Sequence, residues 1–169
     1  MHPNSYIVLD IETTGLSPNL HEITEIAAIK VINNQVVDHF SQLVRISGPL
    51  PEFISQLTHI TWDMLKNQAP IKQVMLEFID FVQDLPLVGY NIARFDIKFL
   101  QYYAAKTHGH IFRNEIIDTL MLSIHKLNLP NYKLGTICNY YYIPYDASEN
   151  HRALADCEVT LQCYKFLTK

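Results

Sequence analysis

The sequence predicts an α/β fold, a mixed sheet that opens as a three-stranded antiparallel meander and continues as alternating helices and short parallel strands. Three observations predict it. Residues 6–46 hold three runs rich in β-formers, separated by turn residues. From residue 61 onward, apolar residues recur at helical spacing. Between those helical stretches stand two short apolar runs of strand length, Leu87-Val88-Gly89-Tyr90 and Ile116-Ile117.

The first strand runs from Tyr6 to Glu12 and ends at the turn Thr13-Thr14-Gly15. Strands from Ile23 to Ile32 and from Val36 to Ile46 follow. Asn33-Asn34 joins them, because Asn tolerates the positive φ of a tight hairpin. Thr61 caps a short helix ending at Lys66. Pro70 to Gln83 is helical through Val74, Phe78, Phe81 and Val82, with Pro70 suited to the first turn. Ala93 to Thr107 is amphipathic through Phe95, Phe99, Leu100 and Tyr103. Asp118 caps the helix after the Ile116-Ile117 strand, and Lys133 to Tyr142 and Arg152 to Leu167 complete the helices. No repeat, low-complexity stretch or linker interrupts the chain, so residues 1–169 are expected to form one domain.

Composition narrows the function classes. A hydrophobic fraction of 49% and a charged fraction of 18% are ordinary for a folded soluble chain. No apolar run approaches the roughly 20 residues of a membrane helix, and no signal peptide is readable, which points to the cytoplasm. Cys138, Cys157 and Cys163 lack metal-ligand spacing and read as reduced, packed thiols. A net charge of −4 argues against a broad basic surface for nucleic acid. It leaves open a site where acids hold divalent cations, which would cancel their charge locally.

Asp10 and Glu12, two apart on a strand, point to one face, while Leu9 and Ile11 point to the other. Two acids at the end of a buried strand repel each other and resist desolvation, and a cation relieves both costs. A solvated sheet face would also accommodate such a pair. Gly89 to Asp96 ends a strand and opens a helix, placing Asp96 in the first turn, with Asn91 able to cap it. His151 precedes the last helix and Asp156 lies inside it, beside the small Ala153 and Ala155.

Asp10-x-Glu12, then Asn91 through Phe95-Asp96, then His151-x4-Asp156, in this order, resemble the DEDDh family of 3′–5′ exonucleases of the ribonuclease H-like superfamily. Asp10-Ile11-Glu12-Thr13-Thr14-Gly15-Leu16 is similar to the first motif of the bacterial polymerase III proofreading type. Further stretches share the resemblance, Ile23 to Ala28, Leu57 to Thr61 and Ile117 to Thr119, so it spans Tyr6 to Leu167. One departure is Tyr90, where many relatives carry His, which bears on substrate contact and not on metals.

The resemblance implies two divalent ions, Mg²⁺ or Mn²⁺. Asp10 would bridge both, Glu12 and Asp156 would help hold the ion nearer the attacking water, and Asp96 would support the second. Hard carboxylate oxygens suit those ions rather than zinc. His151 would be the general base. Thr13, Thr14, Gly15, Leu16, His59 and Asn91 would meet the substrate, the turn offering N–H groups and Leu16 an apolar contact to the last base. For Gly15 and Leu16, a turn glycine and a core leucine are the alternative. The expected partner is a single-stranded or frayed 3′ end, DNA before RNA, and the expected reaction releases nucleoside 5′-monophosphates in proofreading or repair. RNA trimming of the oligoribonuclease or ribonuclease T kind uses the same five residues, and an inactive nucleic-acid-binding relic is a third reading. The proofreading subunit's C-terminal polymerase-docking segment is not seen here, so a free-standing enzyme and one recruited by a polymerase through its folded surface are both compatible.

Overall fold

The structure, a computed structural model, describes residues 2–146 and 152–169. Its sheet is built from β1 (Tyr6–Thr13), β2 (Ile23–Ile32), β3 (Gln35–Leu43), β4 (Leu87–Gly89) and β5 (Ile116–Asp118), in the spatial order β3-β2-β1-β4-β5. β1 pairs antiparallel with β2, and β2 with β3, whereas β4 runs parallel to both β1 and β5. The meander followed by short parallel strands is therefore as expected. Asn33 and Asn34 take φ values of 50° and 64° in the β2–β3 turn, the left-handed geometry a two-residue hairpin requires.

The helices are α1 (Glu52–Thr58), α2 (Trp62–Leu65), α3 (Ile71–Val82), α4 (Asp96–His108), α5 (Thr119–Lys126), α6 (Leu134–Tyr140) and α7 (Ala153–Leu167). β1 is apolar on both faces because both are covered. Ile7, Leu9 and Ile11 pack with Phe78 and Val82 of α3 and Phe99 and Leu100 of α4. On the opposite face, Tyr6 and Val8 pack with Ala153, Cys157, Leu161 and Tyr164, spaced along one side of α7. Cys157 donates its thiol to the Ala27 carbonyl of β2 at 3.4 Å, and all three cysteines are free and buried. Among the described residues no helix is long and apolar enough to cross a membrane.

Four expectations need correction. α1 is unforeseen: it is a seven-residue helix that buries only Ile54 and Thr58 and has no side-chain cap, so its apolar pattern is too sparse to read. β3 ends at Leu43 rather than Ile46, where the chain leaves β2 and bridges Arg45 to Pro70. α4 starts at Asp96, not Ala93, and its N-cap is Phe95 rather than Asn91. Asn91 has φ 56°, which breaks any helix there. α6 spans less than Lys133 to Tyr142, since Tyr142 also turns left-handed at φ 56°. The caps at Thr61 and Asp118 are as expected, accepting from the Met64 and Leu120 N–H groups.

Phe78 is fully buried between α3 and the sheet, edge-on to Phe40 and Phe112. Phe78→Ala is expected to lower unfolding free energy by about 3–5 kcal/mol, the usual cost of emptying such a site. Urea denaturation of both proteins measures it, and a loss below about 1 kcal/mol would show that α3 is not wedged there.

Candidate active site

The alternation of β1 that buries Tyr6 and Val8 against α7 also turns Asp10 and Glu12 toward that helix. Past Val8 the apolar partners stop and the acids begin. Asp156 lies in the first turn of α7, one turn beyond the buried Ala153. One carboxylate oxygen each from Asp10, Glu12 and Asp156 lie within 4.8 Å of one another.

Asp96 reaches the same place from another direction. β4 pairs with Ile7 and Val8 only, so the edge of β1 beyond them lacks a strand partner on that side. Asp96, the first residue of α4 and 3% exposed, fills the gap: its Oδ1 accepts the Ile11 N–H at 3.2 Å. All four acids line one cleft of about 350 Å³, together with Ile11, Asn91 and Phe95, and Tyr90, Lys133, Leu134 and Tyr145 complete its wall.

Crowding sets the protonation of these groups. Burial raises Asp10 well above the carboxylate range, and Asp96, Glu12, Asp156 and Glu25 push it further. Burial also raises Glu12 to about 9, with Asp156, Glu25 and Asp96 adding and Arg152 opposing. Asp96 is raised to about 7, again chiefly by burial, although its own N–H and that of Ile11 stabilise the anion. Gathered, desolvated oxygens that repel one another are a donor set for a hard divalent cation, which removes the repulsion by binding the ionised forms.

Two further acids hold this arrangement. Glu25, opposite Glu12 in the β1–β2 register, is 1% exposed and grips Arg152 with both oxygens at 2.8 and 3.1 Å. It also accepts the Ala153 N–H at 3.1 Å, fixing the start of α7. Its signal was an acid near the start of a strand in which most other residues are apolar. Buried Asp118 caps α5 and accepts the N–H groups of Asn91 and Ala93 at 3.0 and 3.2 Å, shaping the turn that delivers Asp96. Spacing could suggest its cap but not these longer-range contacts.

The other expected contacts are more scattered. Asn91 lines the cleft, while Thr13, Thr14, Gly15, Leu16 and His59 do not. The Thr14 N–H already donates to the Glu22 carbonyl at 2.8 Å, so that group is not available to a nucleotide. Gly15 does permit a close approach, but to the His21 ring, whose Cδ2 would stand 2.2 Å from a Cβ there. Leu16 is 82% exposed, which rules out the core alternative. His59 ends α1 at φ 57° and is exposed. His151 lies outside the described residues.

A family model described as exonuclease matches residues 7–164. The PolC-type DNA polymerase III of Thermotoga maritima is 37% identical over 161 residues, covering 95% of this chain. That of Halalkalibacterium halodurans is 39% identical over 158 residues, covering 93%. The chain spans only 12% and 11% of the length of these two relatives. Among solved structures, Escherichia coli exonuclease I in complex with a dT13 oligonucleotide superposes with a TM-score of 0.82 at 17% identity, covering 99% of this chain and 41% of the other. Exonuclease X in complex with 5′ overhanging duplex DNA gives 0.77 at 24% identity, covering 96% and 90%. At these identities the structures show a shared fold, the mixed α/β sheet.

Because the folded-state values of Glu12 and Asp96 are raised, the folded chain holds protons that the unfolded chain has released, from about pH 4 up to about 9 and 7 respectively. The contribution of these groups to stability therefore falls as pH rises through that window. Thermal melts in EDTA should show this decline from pH 5 to 9, and the upward shift caused by Mn²⁺ should grow over the same range. A Mn²⁺ shift that is absent, or independent of pH, would argue against cation binding by the acids.

Proposed function

The chain belongs to the exonuclease family, and on that premise we propose that it is a divalent-metal-dependent 3′–5′ exonuclease acting on DNA 3′ ends, of the proofreading or repair kind. The observation that carries the reading is the convergence of Asp10, Glu12 and Asp156 within 4.8 Å, in a cleft that also takes in Asp96.

Two Mg²⁺ or Mn²⁺ ions held by these acids would supply charge stabilisation for in-line displacement at phosphorus. Asp10, Glu12, Asp156 and Asp96 would hold these ions, the first three through oxygens within 4.8 Å of one another and Asp96 from the same cleft. In the reaction, a water oxygen bonds to the terminal phosphorus and the P–O3′ bond breaks. The departing nucleotide leaves as a 5′-monophosphate, and the O3′ of the shortened strand takes a proton from solvent water to end as a hydroxyl. His151, directly before Arg152 in sequence, accepts the proton of the water. The Glu25–Arg152 pair anchors the chain next to it. A 3′ end that is single-stranded or frayed fits a cleft of this size, which is about that of one nucleotide. Association with a replicative polymerase is proposed from the relatives' names.

Asp10→Ala should reduce turnover of 3′-labelled single-stranded DNA below a tenth of wild type, while the melt in EDTA stays the same or rises because one repelling charge is gone. His151→Ala should lose about 10²–10⁴-fold in kcat with the Mn²⁺-induced melting shift retained. Running the same assay on mismatched duplex DNA and on RNA of the same sequence tests the substrate class. Faster turnover of RNA than DNA would replace the proofreading reading with RNA trimming. No turnover of any substrate would leave a binding domain.

A further inference from the structure

The cleft continues beyond the acids. Lys133, Leu134 and Tyr145 line it, and the same three residues line an adjoining hollow of about 430 Å³ that passes Gly135, Thr136 and Asn139 of α6. Among the described residues, Lys133 is the one lysine or arginine on the cleft wall, and its ammonium has no carboxylate within ion-pair distance. Arg152, whose field acts on Glu12, is engaged by Glu25.

The base of the Lys133 side chain is fixed although its end is exposed. Its N–H donates to Asn131 Oδ1 at 3.1 Å, and that oxygen also accepts the Thr136 hydroxyl at 2.7 Å. One residue earlier, the Tyr132 carbonyl accepts the Tyr90 hydroxyl at 2.8 Å. The Tyr132 hydroxyl in turn donates to the Leu127 carbonyl at 2.9 Å. Opposite, Tyr145 lies on the Cα of Gly135: a Cβ there would meet two ring carbons at 3.1 Å. The glycine lets the ring settle on α6 and keeps the hollow open.

We propose that this hollow is a second nucleotide subsite, in which Lys133 contacts the phosphate one step 5′ of the scissile bond and Tyr90 positions Lys133 through the Tyr132 carbonyl. The inference rests on the exonuclease reading above. A strand whose 3′ end is at the acids must leave the cleft with its remaining phosphates charged, and the wall where it meets a free cation is that of Lys133. An ammonium is a point charge that suits phosphate without demanding one geometry. Contacts of this kind hold the backbone and carry no sequence information. Tyr90, where the family pattern has His, thereby acquires a role through the loop it anchors.

The test compares d(TpT), whose single phosphate is the scissile one, with hexathymidylate, using Mg²⁺ and detecting released thymidine 5′-monophosphate. Lys133→Ala should raise KM for the hexamer about tenfold and for the dinucleotide less than twofold. Its salt dependence of kcat/KM on the hexamer should flatten by about 0.7 in slope, the value of one phosphate contact on a single strand. Lys133→Arg should restore most of both, and Tyr90→Phe should raise the hexamer-to-dinucleotide KM ratio in the same direction by a smaller factor. A working wild type whose KM ratio and salt slope are shared by Lys133→Ala overturns the subsite alone. A wild type that leaves the hexamer uncut overturns the DNA-exonuclease reading and the subsite with it.

Discussion

The constraint on which the rest of the structure depends is mutual repulsion among carboxylates that the fold refuses to separate. Asp10, Glu12, Asp96 and Asp156 come from three different elements, and the first three are driven toward protonation or toward a cation by burial and by their acidic neighbours. Nothing local favours such a cluster. It persists because β1 is clamped between two apolar layers, α3 and α4 on one face and α7 on the other. The apolar contacts end where the acids begin, so the cores act as the frame against which the charges are held.

Rigidity is supplied next to the acids by groups that are themselves charged. Glu25 and Asp118 accept main-chain N–H donors, Glu25 in addition to Arg152, so each fixes a backbone turn and not merely a side chain. Removing Arg152 would leave the buried Glu25 carboxylate without its cation partner, whereas Arg152 itself is partly exposed to solvent. The orientation of α7, and with it Asp156, is coupled to β2 through that pair.

Much of this was legible in the sequence, for physical reasons specific to each segment. The β1 motif was readable because strand alternation puts Asp10 and Glu12 on one face whatever else happens. The Asn33-Asn34 hairpin was readable because few residues other than glycine accept its φ values. α1 was not, because a short exposed helix has little apolar periodicity. The start of α4 was misplaced because Phe95 leaves helical geometry at φ −124° and ψ −76°, in a turn held by Asp118, more than twenty residues away, through the Asn91 and Ala93 N–H groups. Gly15 was expected to meet the substrate, yet the group packed on it is the chain's own His21. Long-range polar contacts have no sequence periodicity, and they were the part that needed coordinates.

The buried thiol of Cys157 has a consequence for metal selection. It follows Asp156 in sequence, and burial together with the fields of Asp10, Asp96, Asp156 and Glu25 drives its ionisation far above neutrality. Its hydrogen is directed at the Ala27 carbonyl. A thiol in that state is not a thiolate, and only the thiolate is an effective nucleophile or a ligand for soft metals. Burial, reinforced by the field of these acids, thus keeps the one sulfur adjacent to them in sequence protonated. The carboxylates gathered beside it present oxygen, not sulfur, to whatever occupies the cleft.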